Sequence, residues 1–112
     1  METRKLESDI QSKIIKYLES QGAYATKVVV ATKNGVPDII CCYQGRYIAF
    51  EIKRDSQKVD RAGELQKWNI QQIKKAGGVG FIVCSLEEVR SIIETIKVSG
   101  NQRQKYNETN KI

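Results

Sequence analysis

The chain has 112 residues, which suits one compact domain and leaves little room for a second. Hydrophobic residues make up 40% of it and charged residues 29%, so the chain can build a core and stay soluble. No apolar run approaches the roughly 20 residues of a membrane span, and the N-terminus lacks the apolar stretch of a secretory signal. We therefore expect an intracellular, cytoplasmic protein.

The net charge is +6, from 19 basic and 13 acidic residues. This excess favours a polyanionic partner such as nucleic acid, although many basic proteins bind nothing anionic. The chain contains no histidine, which excludes mechanisms that use imidazole as the base, including Ser-His and Cys-His pairs. Any proton transfer must then involve carboxylate, lysine, tyrosine or metal-bound water.

Three cysteines are present, and two of them, Cys41 and Cys42, are adjacent. Neighbouring residues of a strand point to opposite faces, so these two are not expected to share a metal. We interpret the cysteines as small buried apolar residues.

Periodicity and turn signals predict seven elements. The first helix has apolar residues at helical spacing, and β-branched and aromatic residues follow it. Gln44-Gly45 separates two strand-like runs and is typical of a hairpin turn, while Ser85 and Glu88 are spaced as a capping box. In chain order we predict a helix over residues 3–20, strands over 23–31, 36–43 and 46–53, a helix over 61–76, a strand over 79–84 and a helix over 85–98.

The order α-β-β-β-α-β-α predicts an α/β domain with a mixed central sheet flanked by helices. We place this domain at residues 1–98. Residues 99–112 form a polar C-terminal tail with almost nothing to bury, so we expect the tail to be mobile unless a partner subunit orders it.

The predicted hairpin brings charged residues together at one end. A two-residue turn places Asp38 directly across from Glu51, where two carboxylates repel each other unless a cation such as Mg²⁺ lies between them. Lys53 follows two residues later on the same face, where its ammonium could position water or stabilise a transition state. The alternative is that Asp38 ends a turn while Glu51 and Lys53 form an ordinary surface salt bridge, and a longer turn would shift the register.

Two further polar residues lie on apolar helix stripes. On a helical wheel of the first helix, Glu7 falls between Ile14 and Leu18, within the apolar stripe. Carboxylates rarely face a core unless they are paired or bind a metal. Glu7 could instead lie in the first helical turn and reach solvent. Gln66 shares the core-facing stripe of the second helix, where it is a satisfied buried amide, a residue at the edge of the stripe, or part of a site.

Four motifs together resemble a known family. They are Glu7, Gly35-Val36-Pro37-Asp38, Glu51-Ile52-Lys53 and Gln66. In this order and spacing they resemble the PD-(D/E)XK nuclease superfamily, and more narrowly its VRR-NUC (virus-type replication-repair nuclease) branch. The resemblance covers about residues 3–84 and implies a restriction-endonuclease-like core, with Gln66 supporting the site from the second helix.

The resemblance also implies a mechanism. Asp38 and Glu51 would be metal ligands together with the backbone carbonyl of Ile52, and Lys53 would assist the nucleophilic water. Glu7 would be a further acidic ligand or a water-positioning residue. The implied cofactor is Mg²⁺ or Mn²⁺, and the implied reaction is hydrolysis of a DNA phosphodiester by metal-activated water.

Stand-alone domains of this kind resemble Holliday-junction resolvases, which act as homodimers. The resemblance therefore implies structure-selective cleavage of branched DNA, a role in DNA repair, and an origin in a virus or mobile element. Several basic residues could track the DNA backbone, although each could equally be a solvated surface residue. These are Lys27, Lys33, Arg54, Lys58 and Arg61.

Two other functions compete with the nuclease. A non-catalytic nucleic-acid-binding module predicts that Mg²⁺ has no effect and that Glu51→Ala and Lys53→Ala leave function intact. A protein-interaction domain with a basic surface gives no reason for Glu7 and Gln66 to converge on the hairpin carboxylates. We expect the nuclease because four separate segments supply residues for one site.

Overall fold

A computed structural model describes the backbone of residues 2–54 and 63–109 and the side chains of residues 7–54 and 63–98. The elements are α1 (Glu2–Ser20), β1 (Tyr24–Lys27), β2 (Ile39–Tyr43), β3 (Arg46–Ile52), α2 (Glu64–Lys75), β4 (Val79–Val83) and α3 (Leu86–Thr109). The predicted order α-β-β-β-α-β-α is confirmed. Within these residues, no helix is long and apolar enough to cross a membrane.

The four strands form one mixed sheet in the order β1-β2-β3-β4. The first three strands pair antiparallel, whereas β3 and β4 pair parallel. A parallel pair cannot be joined by a tight hairpin, so the chain crosses from β3 to β4 through α2. This crossover places α2 on one face of the sheet, where Ile70 packs against Gly80 and Ile73 against Gly78.

The opposite face of the sheet carries the main core, where α1 and α3 pack side by side. The two helices contribute fully buried apolar residues to this core, including Ile14 and Leu18 of α1 and Ile93 of α3. Between these two helices the guanidinium of Arg90 lies 5.0 Å from the ring centroid of Tyr17, a cation–π contact. Every strand residue that was predicted to face this core is buried, namely Ile39, Cys41, Tyr43, Ile48, Phe50 and Ile52.

The β2–β3 hairpin has the predicted register. Ile39 pairs with Phe50, and the ladder continues to Tyr43 and Arg46 at the turn. Gln44 and Gly45 both adopt positive φ, at 51° and 76°, as the favoured two-residue hairpin turn requires. The two-residue turn therefore fixes which residues of β2 and β3 share a face.

The first strand is shorter than predicted. The sequence predicts a strand over 23–31, but β1 ends at Lys27, and Val29 and Val30 are 81% and 89% exposed. The last backbone bond of this ladder runs from the Val28 amide to the Asp38 carbonyl, at 2.8 Å. The next residue of the neighbouring strand segment is Pro37, which has no N–H to donate. The ladder therefore stops, despite the high β propensity of the valines.

Both later helices differ from their predicted bounds. α2 begins at Glu64 after Gly63, whereas the predicted start at residues 61 and 62 lies outside the described residues. α3 continues to Thr109, beyond the predicted end near residue 98. A helix already anchored by packing adds each further residue at little cost, and glutamine, arginine and lysine are good helix formers. The mobility of the polar tail stays a prediction.

Candidate active site

Asp38 is held at the end of the hairpin by both its backbone and its side chain. Its carbonyl accepts the Val28 amide, and its Oδ2 accepts the backbone N–H of Ile52 at 2.8 Å. The side-chain bond crosses from β2 to β3, beside Glu51. Since the register pairs Ile39 with Phe50, the next position on each strand brings Asp38 and Glu51 together.

Glu51 is a buried carboxylate. Its exposed fraction is 6%, and its Oε2 lies 3.3 Å from the ammonium Nζ of Lys53. Burial, and then the negative charge of Asp38, raises the pKa of Glu51 to about 7, although the Lys53 ammonium opposes this rise. Without a further cation the ionised form of Glu51 is therefore poorly stabilised.

Lys53 is positioned by the parallel strand pair. Its backbone N–H donates to the carbonyl of Val83 at 2.7 Å, which continues the β3–β4 ladder one residue beyond β3. The side chain remains 23% exposed and reaches back to Glu51. The Glu51–Lys53 salt bridge named as the simpler alternative does exist, but its carboxylate is buried and adjoins a second carboxylate, so it is not an ordinary surface pair.

The donor set fits a hard divalent cation. Asp38 and Glu51 supply carboxylate oxygens at one point, and Mg²⁺ binds through one or two carboxylates while keeping several waters. Burial and the repulsion from Asp38 disfavour the ionised form of Glu51, and a cation there would stabilise that form. Within the described residues, no three side chains of His, Cys, Asp or Glu form a group able to hold a metal.

Glu7 and Gln66 are less clearly connected to this centre. Glu7 is partly buried near the start of α1, and the metal-ligand role implied for it stays a prediction. Gln66 is also partly buried, and its Oε1 lies over Gly63 at the start of α2, where an added Cβ would collide with it. Its supporting role likewise stays a prediction.

Asn69 is a positioning residue that the helical pattern did not reveal. It is 6% exposed on α2, and its Nδ2 donates to the carbonyls of Asn34 at 3.0 Å and Leu65 at 2.8 Å. Gly35 packs against the same helix with φ +77°, and an added Cβ would lie 2.7 Å from Leu65 Cγ. These contacts fasten the loop before Asp38 to α2.

Gln11 ends the segment of residues 7–11, which is part of the family resemblance, but no role of its own was predicted for it from the sequence. It lies one helical turn after Glu7 on α1 and is 8% exposed. Its Oε1 is the one buried side-chain nitrogen or oxygen atom without a hydrogen-bond partner in the described part of the chain. A polar residue four positions after Glu7 on the same helix face was the available signal.

The predicted DNA-contacting residues are only partly described. Lys27 and Lys33 are exposed at the end of β1 and in the loop before β2, and Arg54 is partly buried after Lys53. Lys58 and Arg61 lie outside the described residues. Their contacts with DNA stay predictions.

The fold and the centre define an α/β domain in which two carboxylates and a lysine meet at one end of a mixed sheet. A solved structure titled "VRR_NUC domain" superposes on this chain with a TM-score of 0.68 and 23% sequence identity. The match covers 80% of this chain and 95% of that chain. No family model and no curated protein matches the sequence. The chain therefore has the VRR_NUC fold, which confirms the predicted restriction-endonuclease-like architecture.

Proposed function

We propose that this protein is a metal-dependent endonuclease that hydrolyses phosphodiester bonds of DNA. The observation that carries the proposal is the buried Glu51 carboxylate, held beside Asp38 and against Lys53 at the end of the hairpin. A fold stabilised only by these residues would gain from an apolar residue at position 51, because a buried charge is costly to keep. A cation-binding role explains why two carboxylates adjoin there.

Asp38, Glu51 and the Ile52 carbonyl would hold one or two Mg²⁺ or Mn²⁺ ions. Such an ion, when bound, activates water and neutralises charge on the phosphate. The hydrogen bond from the Ile52 N–H orients the Asp38 carboxylate before any ion arrives. The Lys53 ammonium, fixed through its backbone to β4, lies where it can orient the attacking water or stabilise developing negative charge.

The proposed substrate is branched DNA, such as a Holliday junction, cut by a homodimer. The net charge of +6 supports a polyanionic substrate. Lys33 is exposed in the loop that leads to Asp38, and Lys27 is exposed at the end of β1, opposite Ile39. Preference for branched DNA rests on the resemblance of the four motifs and on the VRR_NUC fold.

The test is cleavage of labelled four-way-junction, flap and linear duplex DNA in EDTA, Mg²⁺ or Mn²⁺. We expect cutting only with metal, and a loss of at least about 100-fold in Lys53→Ala. Lys16→Ala, an exposed position of α1, is the matched charge control and should cut normally. Paired cuts on the junction support the resolvase activity. Tight junction binding without cutting in any metal would favour the binding module.

A further inference from the structure

A groove of about 490 Å³ lies between α2 and the loop that precedes β2. Its walls include Lys33 and Pro37 from the loop, Tyr47 from β3, and Trp68 and Gln72 from α2. The volume falls within the range of small-molecule sites. We call it the α2 groove.

Two large aromatic side chains line this groove without being covered. Trp68 is 48% exposed and Tyr47 is 44% exposed. One exposed aromatic residue on a surface needs no explanation, but two that line the same concave site mark a binding surface. An aromatic face left in water on each of two elements is suited to stacking against a planar ligand.

The other groups in the groove match a nucleotide. Gln72 places an amide group in the wall, where it can meet the polar edge of a base, while Lys33 supplies a cation for a phosphate. Among the described residues that line the groove, none is a carboxylate. Beside the apolar wall residues Val36, Ile73 and Ala76, these aromatic, amide and cationic groups give the groove the partners that a nucleotide needs.

The groove adjoins the proposed active centre. Pro37, one of its walls, directly precedes Asp38. Tyr47 lies on the same face of β3 as Glu51, four residues away, which is about 13 Å along the strand. A nucleotide in the groove would therefore belong to a DNA strand that can also place one of its phosphates at the carboxylates.

We propose that the α2 groove binds an unpaired nucleobase of the DNA strand, next to the phosphate to be cut. This inference rests on the proposed nuclease function and names its substrate class: DNA that carries unpaired nucleotides beside the cleavage site. A base in a continuous duplex enters such a site only after it leaves the stack, which costs a few kilocalories per mole. The groove therefore favours DNA in which the base is already unpaired and does not have to leave a stack.

Trp68 is the only tryptophan in the chain, so tryptophan fluorescence comes from a single residue, and that residue lines the groove. Wild-type protein in EDTA is titrated with duplex DNA carrying a single unpaired thymine, and with the same duplex carrying an abasic nucleotide there. We expect the unpaired base to quench Trp68 fluorescence and the abasic DNA to quench it far less at equal DNA occupancy, measured by anisotropy. Equal quenching by the two DNAs overturns the proposal.

Cleavage supplies the second arm. Wild-type protein should cut the DNA with an unpaired base roughly 10- to 100-fold faster than the abasic DNA, as expected for loss of one stacked base. Trp68→Ala should remove most of this preference, and Trp68→Phe should restore part of it. Val98→Ala, which removes an exposed apolar side chain from α3 outside the groove, is the matched control and should keep the preference. A preference that survives Trp68→Ala contradicts the proposal.

The outcomes separate this inference from the proposed function. Base-dependent quenching without any cutting supports the base site and contradicts the nuclease. Cutting that ignores the unpaired base supports the nuclease and overturns the base site. A change in Trp68 fluorescence that follows protein concentration without DNA, matched by dimerisation in sedimentation, assigns the groove to a second copy of the chain and also overturns the proposal.

Discussion

Glu51 is the residue whose surroundings are least compatible with a purely structural role. It is buried, it adjoins Asp38, and its only ion-pair partner in the described residues is Lys53. The first two features disfavour its charge, and the third only partly offsets them. The ionised form of Glu51 is thus unfavourable in the metal-free protein, and a divalent cation beside the two carboxylates would stabilise it.

Metal-free protein should lose stability as the pH rises through the titration of Glu51. The pKa of this carboxyl is raised to about 7 in the folded state, above its ordinary value of 4.5, so the folded state retains the proton that the unfolded state releases. The contribution is fully present below pH 4.5 and is lost as the pH rises to about 7. Because one pKa unit corresponds to ~1.4 kcal/mol, the loss is on the order of 3 kcal/mol.

Glu51→Gln is the matched variant, since glutamine keeps the shape and cannot ionise. Urea unfolding in EDTA between pH 4.5 and 7.5 should show a fall in the free energy of unfolding of the wild-type protein relative to this variant. Added Mg²⁺ should reverse the fall in the wild-type protein only. Parallel pH profiles for the two proteins would contradict the burial assigned to Glu51.

The pairing of individual residues was predictable from the sequence where it depended only on strand periodicity and on one turn. A two-residue turn at Gln44-Gly45 fixes the register, and the register brings Asp38 beside Glu51. Asn69 was not predictable, because its partner Asn34 is 35 positions away and no local pattern encodes that contact. The same limit applies to any residue whose role depends on a distant backbone carbonyl.

Among the elements, the loop before β2 and helix α2 act together to hold Asp38. Gly35 packs directly against α2, with positive φ and no room for a side chain. The sequence shows a Gly-x-Pro-Asp segment there but not the helix that covers it. The overprediction of β1 has a related cause, since the residue that ends the ladder, Pro37, lies in the partner strand segment and not in the valine run itself.

Gly35→Ala and Gly45→Ala form a matched pair that isolates this packing. Both residues have nearly the same positive φ, +77° and +76°, so both variants carry the same backbone strain. Only at Gly35 does an added Cβ meet another element, at 2.7 Å from Leu65 Cγ, whereas Gly45 has open space. Gly35→Ala should therefore be less stable than Gly45→Ala by about 1–3 kcal/mol in chemical denaturation.

Activity should separate the same two variants. Gly35→Ala should also lower the rate of DNA cleavage at a temperature where it remains folded, because the displaced loop carries Asp38. Gly45→Ala should cut like the wild-type protein, since the hairpin turn lies at the far end of both strands from the centre. Equal stability and equal cleavage rates in the two variants would show that α2 does not position the loop.

In the whole molecule, helices α1 and α3 cover one face of the sheet, whereas α2 and the proposed active centre lie on the other. This arrangement places the proposed DNA approach on the side of Lys33 and the α2 groove. The charge excess of the sequence predicts a polyanionic partner but not the side on which it binds. The fold supplies that information through the position of Asp38 and Glu51.

The salt dependence of DNA binding tests this placement. Lys33→Gln should weaken junction binding and reduce the slope of log K against log salt concentration by about 1, because one phosphate contact is lost. Lys16→Gln removes the same charge from exposed α1 and should leave the slope unchanged. Anisotropy of labelled junction DNA in EDTA across a salt series gives both slopes. Identical slopes for the two variants would remove Lys33 from the interface.

The most direct test of the account is junction cleavage by Asp38→Asn and Glu51→Gln proteins beside the wild type, over a titration of Mn²⁺. We expect the wild type to cut with a saturating dependence on Mn²⁺. Both variants should lose at least about 100-fold in rate while still binding the junction, because only the ligands of the ion have changed. Cleavage that persists in both variants, or wild-type cutting that proceeds undiminished in EDTA, would contradict a metal centre at these carboxylates.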